Sequence, residues 1–357
     1  MKYTCNILLA VILGIAVGCA APPRTIIDRI YTGLSEELPR LDPSILQGRK
    51  IVIDPGHGGF FRGTVGPDSL EEARVNLGVS LYLWGLLKEA GAEILMTRSA
   101  ERDFLIHSDS SLAFDPQKRV AMACSLQPDI LVSIHHNAQS NRDPAFNQVE
   151  TYYRTGDPAS MDLAVAVHRH LMRNLGIQSG EVRQGNYYIL RNVEMPAIIG
   201  ESSYLTHPMV EENLKLSDKQ RLEAEAYFLG ILEYFHRGIP RLRRTSPAET
   251  TLTSVPTIEY HAEDTGGLGI DPDGIRMVVN RTEVKPVFDR SRGNIIYPLA
   301  WDAPNGLYAL TLTARNLLGN SSHEARCEFK IDFPPESAHF APTPNTVPPA
   351  GGTIRVQ

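Results

Sequence analysis

A chain of 357 residues, 42% hydrophobic and 21% charged, is long enough for two ordinary domains with sizeable cores. A formal net charge of -6, with no Lys/Arg block along the chain, leaves no electrostatic footprint for a polyanion and excludes nucleic acid as an expected partner. Of its 4 cysteines, Cys5 and Cys19 fall in the apolar amino-terminal stretch, and the remaining two, Cys124 and Cys327, make no disulfide framework.

The amino terminus, "MKYTCNILLAVILGIAVGCAAPP", holds Lys2, an apolar run from Ile7 to Val17, then Gly18 and Cys19. That run is far short of the ~20 residues a membrane-spanning helix needs, so residues 1–18 read as a signal peptide. The small residues before Cys19 resemble a bacterial lipobox, with Ala16 where Leu is usual. The resemblance implies that Cys19 becomes the acylated first residue of the mature chain. Each buried methylene contributes ~0.8 kcal/mol, so two or three acyl chains anchor where one does not. Ala20 is not the Asp that would suggest inner-membrane retention, so the expected location is outside the cytoplasm, on the periplasmic face of the outer membrane. Residues 19–48, from "AAPPRT" to "LDPSILQGRK", read as a Pro-marked tether.

From Lys50 the short apolar runs "KIVID", "AEILMT", "DILVSIH", "VETYY" and "AIIGE" alternate with helical patterns, which predicts an α/β domain with a mostly parallel sheet over residues 49–240. The first helix carries Val75, Val79, Leu83, Leu86 and Ala90 at helical spacing and stops at Gly91. A second shows Leu163, Val167 and Leu171 before Gly176. The last starts at "SDKQ", where Ser217 and Gln220 have capping-box spacing, and runs through Phe228, Leu232 and Phe235 to Gly238.

After "PRLRRTSPAETT" the period changes to two. Leu310 and Leu312 alternate with threonines, and Cys327, Phe329, Ile331 and Phe333 with charged residues, so residues 253–334 read as a small antiparallel β-sandwich. "DTGGLGIDPDGIRMVVN" resembles the bacterial immunoglobulin-like modules found beside exported enzymes, a part suited to spacing the first domain or meeting an unidentified wall partner. Asp264, Asp271 and Asp273 read as turn residues ahead of calcium ligands. Cys124 and Cys327 read as buried free thiols, and residues 335–357 have the composition of a disordered tail.

In open α/β sheets ligands bind beyond the carboxyl ends of the strands. "KIVID" leads into "PGHGG" and His57, "DILVSI" ends at His135 and His136, and "PAIIGE" ends at Glu201. The pair Glu71 and Glu72 opens the first helix after a loop leaving the same rim. Two histidines and a carboxylate leave a fourth tetrahedral position open, the ligand set of a catalytic zinc, and a second carboxylate can then act as base. On the residues alone, the choice within each pair stays open.

These residues carry a family resemblance. "IVIDPGHGG", "EEARVNLGVSLYLWGLLKEAGAEILMTR", "DILVSIHHNA", "VETYY" and "MPAIIGESSYLTHP", in order over about residues 49–237, resemble the successive blocks of the zinc-dependent N-acetylmuramoyl-L-alanine amidases. The resemblance implies a twisted sheet flanked by helices on both faces, a Zn2+ cofactor and peptidoglycan as substrate. It selects His57, Glu72 and His135 as metal ligands and Glu201 as catalytic carboxylate. His136 stands where Ala is usual, and is expected to line the substrate groove or compete as a ligand, although neighbours on a strand point to opposite faces. Gly200 replaces an apolar residue and is expected to widen the pocket, and no long insertion resembling an autoinhibitory helix separates "VETYY" from "YYILRN". Arg98 and Arg191, near strand ends, are candidates for binding stem-peptide carboxylates. Two rival readings are a zinc peptidase of stem peptides, which lacks an HExxH helix here, and a catalytically silent peptidoglycan-binding lipoprotein.

Overall fold

Six strands make one sheet in the computed structural model, which describes residues 30–31, 41–101, 111–139 and 146–333. The expected signal peptide, Cys19, most of the tether and the tail lie outside the described residues. Among these, no helix is long and apolar enough to cross a membrane.

The strands are β1 (Lys50–Pro55), β2 (Glu93–Met96), β3 (Ile130–Asn137), β4 (Val149–Arg154), β5 (Gly180–Gly185) and β6 (Ala197–Tyr204), in spatial order β2-β1-β3-β6-β4-β5. Every pairing is parallel except β4 with β6, so the sheet is mixed. A parallel return normally needs a helical crossover of a dozen or more residues. The link from Asn137 to Val149 is shorter, and β4 runs opposite to β6. Strand β5, "GEVRQG", is a polar edge strand without the apolar run that marks the others.

Helices α1 (Glu72–Glu89), α3 (Pro158–Leu175) and α6 (Ser217–His236) pack together on one face, while α2 (Ser111–Ser125) and the short α4 (Tyr188–Arg191) meet on the other. Each side has its own core, because alternate β1 residues point opposite ways. Ile51 and Ile53 pack with Val75, Leu163 and Ile231, whereas Val52 packs with Leu131, Leu190 and Ile199. A short helix α5 (Pro208–Leu214) precedes α6. The expected capping box is not formed. Leu216 is the cap residue of α6, and the Gln220 amide instead donates to the Leu214 carbonyl at 2.7 Å.

Tyr31 and Leu46 lie in the segment read as a tether, yet both are fully buried in the larger core. Cys124 is also unlike its expected state: it is exposed, while its neighbour Ala123 turns inward.

From Pro240 to Ile331 the chain forms an all-β region of two sheets. One contains β10 (Ile270–Val279), β11 (Thr282–Val284), β14 (Gly306–Asn316), β15 (Ala325–Ile331) and β8 (Thr251–Leu252). The other contains β7 (Pro240–Ser246), β9 (Thr257–Asp264), β12 (Val287–Asp289) and β13 (Asn294–Pro298). All pairings are antiparallel except β15 with β8. The period of two is borne out, since Leu310, Leu312, Cys327, Phe329 and Ile331 are buried in one core. The ladder begins at Pro240, ahead of residue 253, because "PRLRRTSPAETT", the stretch before the change of period, itself supplies β7 and the first residue of β8. Asp264 accepts the Gly266 and Leu268 backbone N–H groups, and Asp271 that of Asp273, which are turn roles.

A helix leaves its last four carbonyls without intrahelical partners. Here the all-β region supplies donors: Asn320 Nδ2 reaches the Tyr234 and Gly238 carbonyls at 2.8 Å each, and Asn316 Nδ2 reaches that of Arg237 at 2.6 Å. The C-terminal end of α6 is thereby tied to the second region.

Candidate metal centre

The carboxyl ends of β1, β3 and β6 converge. The Gly56 N–H donates to the Ile134 carbonyl at 3.0 Å, and His135 lies in register with Glu201 across β3 and β6. His57 has a left-handed backbone, φ 59°, a conformation a residue with a Cβ rarely adopts without support. Two buried arginines supply that support. Arg98 donates to the carbonyls of Pro55, Gly56 and Ala73 at 2.9, 2.9 and 2.7 Å. Arg119 donates to those of Pro55 and His57 at 2.8 and 2.7 Å and to Asp54 Oδ1 at 2.8 Å.

His57 Nε2 and His135 Nδ1 both face Glu72 Oε1, at 3.2 and 3.1 Å, and one ligand atom from each of the three residues lies within 4.8 Å of the others. Glu72 is only 3% exposed. Its Oε2 accepts the Thr64 N–H at 2.7 Å, and its Oε1 also faces the Asn76 amide and the His136 N–H, at 3.2 and 3.1 Å. Burial works against its ionised form, but hydrogen bonds from His135 and His57 outweigh it and hold the carboxyl well below the usual range. Glu71 instead pairs with Arg62 at 3.1 Å near the surface. The cluster admits no extra bulk: a Cβ at Gly56 would overlap the His135 ring, and one at Gly63 would overlap Glu72.

Glu201 opens onto the same cleft, a space of about 440 Å³ also lined by His57, His135, Phe61, Tyr187 and Tyr188. Its Oε2 is buried with no hydrogen-bond partner. Burial, then the charges of Glu72 and Glu150, push its pKa well above the ordinary carboxylate range. Glu150 lies opposite Glu201 in the β4/β6 pair. It is fixed by Asn137 Nδ2 at 2.6 Å, Gln148 Nε2 at 2.7 Å, Arg183 Nη1 at 2.7 Å and Tyr152 OH at 3.0 Å.

Several candidates fall elsewhere. Arg98 is 5% exposed with its donors committed to backbone carbonyls, so it holds the His57 turn and does not face substrate. His136 is 1% exposed and points into the opposite core, because alternation along β3 sends it away from His135; it neither lines the groove nor competes as a ligand. Arg191 is exposed at the end of α4, its guanidinium 6.0 Å from the Tyr188 ring centre, outside the residues lining the cleft. Gly200 does not widen the cleft, since a Cβ there would strike Tyr227 on the far face of the sheet. Arg119 and Glu150 are the site-forming residues that sequence reasoning did not single out. The signal available for Glu150 was its place inside the strand "VETYY", an acid within an otherwise uncharged run.

The Asp54 and Arg119 pair underlies a stability prediction. Burial raises the Asp54 pKa, but the Arg119 charge and the Ser133 and Thr97 hydroxyls overcome this and lower it to about 2. A depressed folded pKa contributes stability that is full above the unfolded value, near 3.8, and is lost as pH falls through about 2. The stability difference between the wild type and Asp54→Asn is expected to shrink by about 2 kcal/mol over that window, at 1.36 kcal/mol per pKa unit. Urea midpoints of both proteins across the acid range measure it, and an unchanged difference contradicts the pairing.

The fold and donor set together define the class of site: a cluster able to hold one metal ion, of the two-histidine, one-carboxylate kind, at the strand ends of an α/β sheet. The family is narrower. Residues 51–233 match the N-acetylmuramoyl-L-alanine amidase family, and the chain belongs to it. It is 31% identical over 190 residues to N-acetylmuramoyl-L-alanine amidase LytC of Bacillus subtilis, a match that takes in 53% of this chain and only 36% of that one. It is 28% identical over 201 residues to the germination-specific N-acetylmuramoyl-L-alanine amidase of the same organism, across 55% of this chain and 84% of that one. Among solved structures, the CwlD amidase from Clostridioides difficile, in complex with the GerS lipoprotein, shares the fold at 22% identity and TM-score 0.50, over 52% of this chain and 98% of that one.

Proposed function

We propose that this chain hydrolyses the amide joining the lactyl group of N-acetylmuramic acid to L-alanine of the stem peptide in peptidoglycan. The observation that carries this reading is that His57 and His135, which meet at Glu72, line one cleft with Glu201, all within the residues that match the family. Two imidazole nitrogens and a carboxylate oxygen at this spacing fit zinc, and the partnerless Glu201 oxygen suits a group that exchanges protons with substrate. When bound by His57, Glu72 and His135, zinc supplies Lewis acidity to the carbonyl and lowers the pKa of water.

The chain's own groups account for the proton movements. Glu201 takes a proton from the attacking water as the water oxygen bonds to the lactyl carbonyl carbon. It then gives that proton to the alanine nitrogen as the carbon–nitrogen bond breaks, so one carboxyl serves both halves of the reaction. The clamp of Arg98 and Arg119 on residues 55–57 keeps His57 turned to the cleft, and the rings of Phe61, Tyr187 and Tyr188 give the substrate apolar surfaces.

The reading extends to an exported lipoprotein anchored through Cys19, with the all-β region as an immunoglobulin-like spacer. Digestion of purified peptidoglycan tests the activity. New amino-terminal alanine without new termini inside the peptide is expected, with loss on chelation and recovery on adding zinc. New termini within the stem peptide would favour a peptidase, and no product a binding protein. Palmitate labelling that survives in Cys19→Ala would remove the anchor.

A further inference from the structure

Two residues with no part in the cleft, His136 and Tyr31, meet through a buried polar chain. His136 Nδ1 lies 2.8 Å from Asn76 Oδ1, and its Nε2 lies 3.1 Å from Glu223 Oε2. The Tyr31 hydroxyl donates to that same Glu223 oxygen at 3.3 Å and lies 2.8 Å from Ser203 Oγ. Tyr31 is held in place by its own backbone, its N–H donating to the Leu175 carbonyl at 2.7 Å and its carbonyl accepting from Lys219 Nζ at 3.1 Å. At the other end, the Asn76 amide donates to Glu72 Oε1 and to the Gly56 carbonyl, both at 3.2 Å. The sense of that amide follows from its partners. Nδ2 faces two acceptors, which leaves Oδ1 for His136 and puts a proton on the His136 Nδ1.

Asn76, His136, Glu223 and Tyr31 are each 1% exposed or less. Burying polar groups costs free energy unless they are bonded to one another. Apart from Glu223 Oε1, which is buried without a partner, this set is bonded, and its inner end is the carboxylate of the candidate metal centre. Of the groups donating to Glu72, Thr64 N–H, the Asn76 amide and His136 N–H are not themselves candidate ligands. They therefore hold the carboxylate in one orientation whatever the two rings do.

We propose that Asn76, His136 and Glu223 form a positioning network that orients Glu72 for metal binding, and that Tyr31, from outside the family-matched residues, completes it. The inference rests on the reading of His57, Glu72 and His135 as metal ligands. Partners of this kind, one step out from the metal, are typically worth 10- to 100-fold in metal affinity. Tyr31 acts through Glu223 and His136, so its effect is smaller and is not added to theirs.

The test uses the full chain as wild type, His136→Ala, Tyr31→Phe and the double variant. Zinc affinity is measured by competition with a chromophoric chelator, with the visible absorption of the Co2+-loaded proteins and the urea midpoints of the metal-free proteins alongside. His136→Ala is expected to weaken zinc binding about 10- to 100-fold and to change the Co2+ spectrum. Tyr31→Phe is expected to weaken it by less, and the double variant to bind about as weakly as His136→Ala. Tyr31→Phe removes one oxygen and keeps the ring packed, so it decides the matter where His136→Ala does not fold. Wild-type zinc affinity and an unaltered Co2+ spectrum in Tyr31→Phe and His136→Ala, with only the metal-free midpoints lowered, would overturn the proposal. A wild-type chain that binds no zinc would overturn the metal-centre reading, and this proposal with it.

Discussion

Glu201→Gln is expected to reduce peptidoglycan hydrolysis by about 10²- to 10⁴-fold, the usual worth of a positioned general acid–base group, while zinc binding stays at the wild-type level. The substituted amide has nearly the same shape and fills the same part of the cleft. It cannot accept a proton from water, so both halves of the proposed reaction lose their proton carrier. The variant should also be at least as stable as the wild type. Glu201 is partly buried, its Oε2 has no partner, and it faces the charges of Glu72 and Glu150, so removing its charge relieves repulsion. Strained or unpaired groups at catalytic sites often show this opposition between activity and stability. Rates of alanine release and urea midpoints check the two halves, and a variant with the wild-type rate would sink the assignment.

Glu72→Ala is expected to lose both metal and fold stability. The carboxylate receives the Thr64 N–H, the Asn76 amide and the His136 N–H, besides facing both histidine rings. Removing it leaves buried donors without acceptors, at a cost of about 3 kcal/mol. Excess zinc should restore activity to chelator-treated wild type but not to this variant. Metal content and unfolding of the metal-free proteins are the measurements, and stoichiometric zinc in Glu72→Ala would show that the carboxylate is no ligand.

The parts of the site that were legible in the sequence are those delivered by local pattern. Apolar runs ending in a histidine place His57 and His135 at the carboxyl ends of β1 and β3, because strand direction follows from βα alternation, whereas Glu201 lies inside β6, which runs on to Tyr204. Within the Glu71 and Glu72 pair the residues alone gave no choice; the family motif selected Glu72, and in the fold Glu71 pairs with Arg62 while Glu72 turns inward. What was not legible depends on contacts between distant segments. Arg98 sits at a strand end as a substrate ligand would, but the carbonyls of residues 55, 56 and 73 claim its donors first. Arg119 completes the same clamp from α2, more than 60 residues along the chain, and no periodicity marks it. His136 is polar and ends an apolar strand, which suggests a cleft residue. Only the presence of Asn76 and Glu223 on two packed helices makes its burial tolerable. Tyr31 belongs to a segment with the composition of a linker, and its anchor points, Leu175 and Glu223, lie far away in sequence. The antiparallel course of β4 follows from the length of a connection and not from the residues of the strand.

The most direct measurement is anomalous X-ray diffraction at the zinc absorption edge from crystals of the chain grown with zinc. One peak bonded to His57 Nε2, Glu72 and His135 Nδ1, with the Glu201 carboxyl facing it across the cleft, is the predicted result. A peak elsewhere, or none beside these three residues in protein shown to contain zinc, would contradict the account.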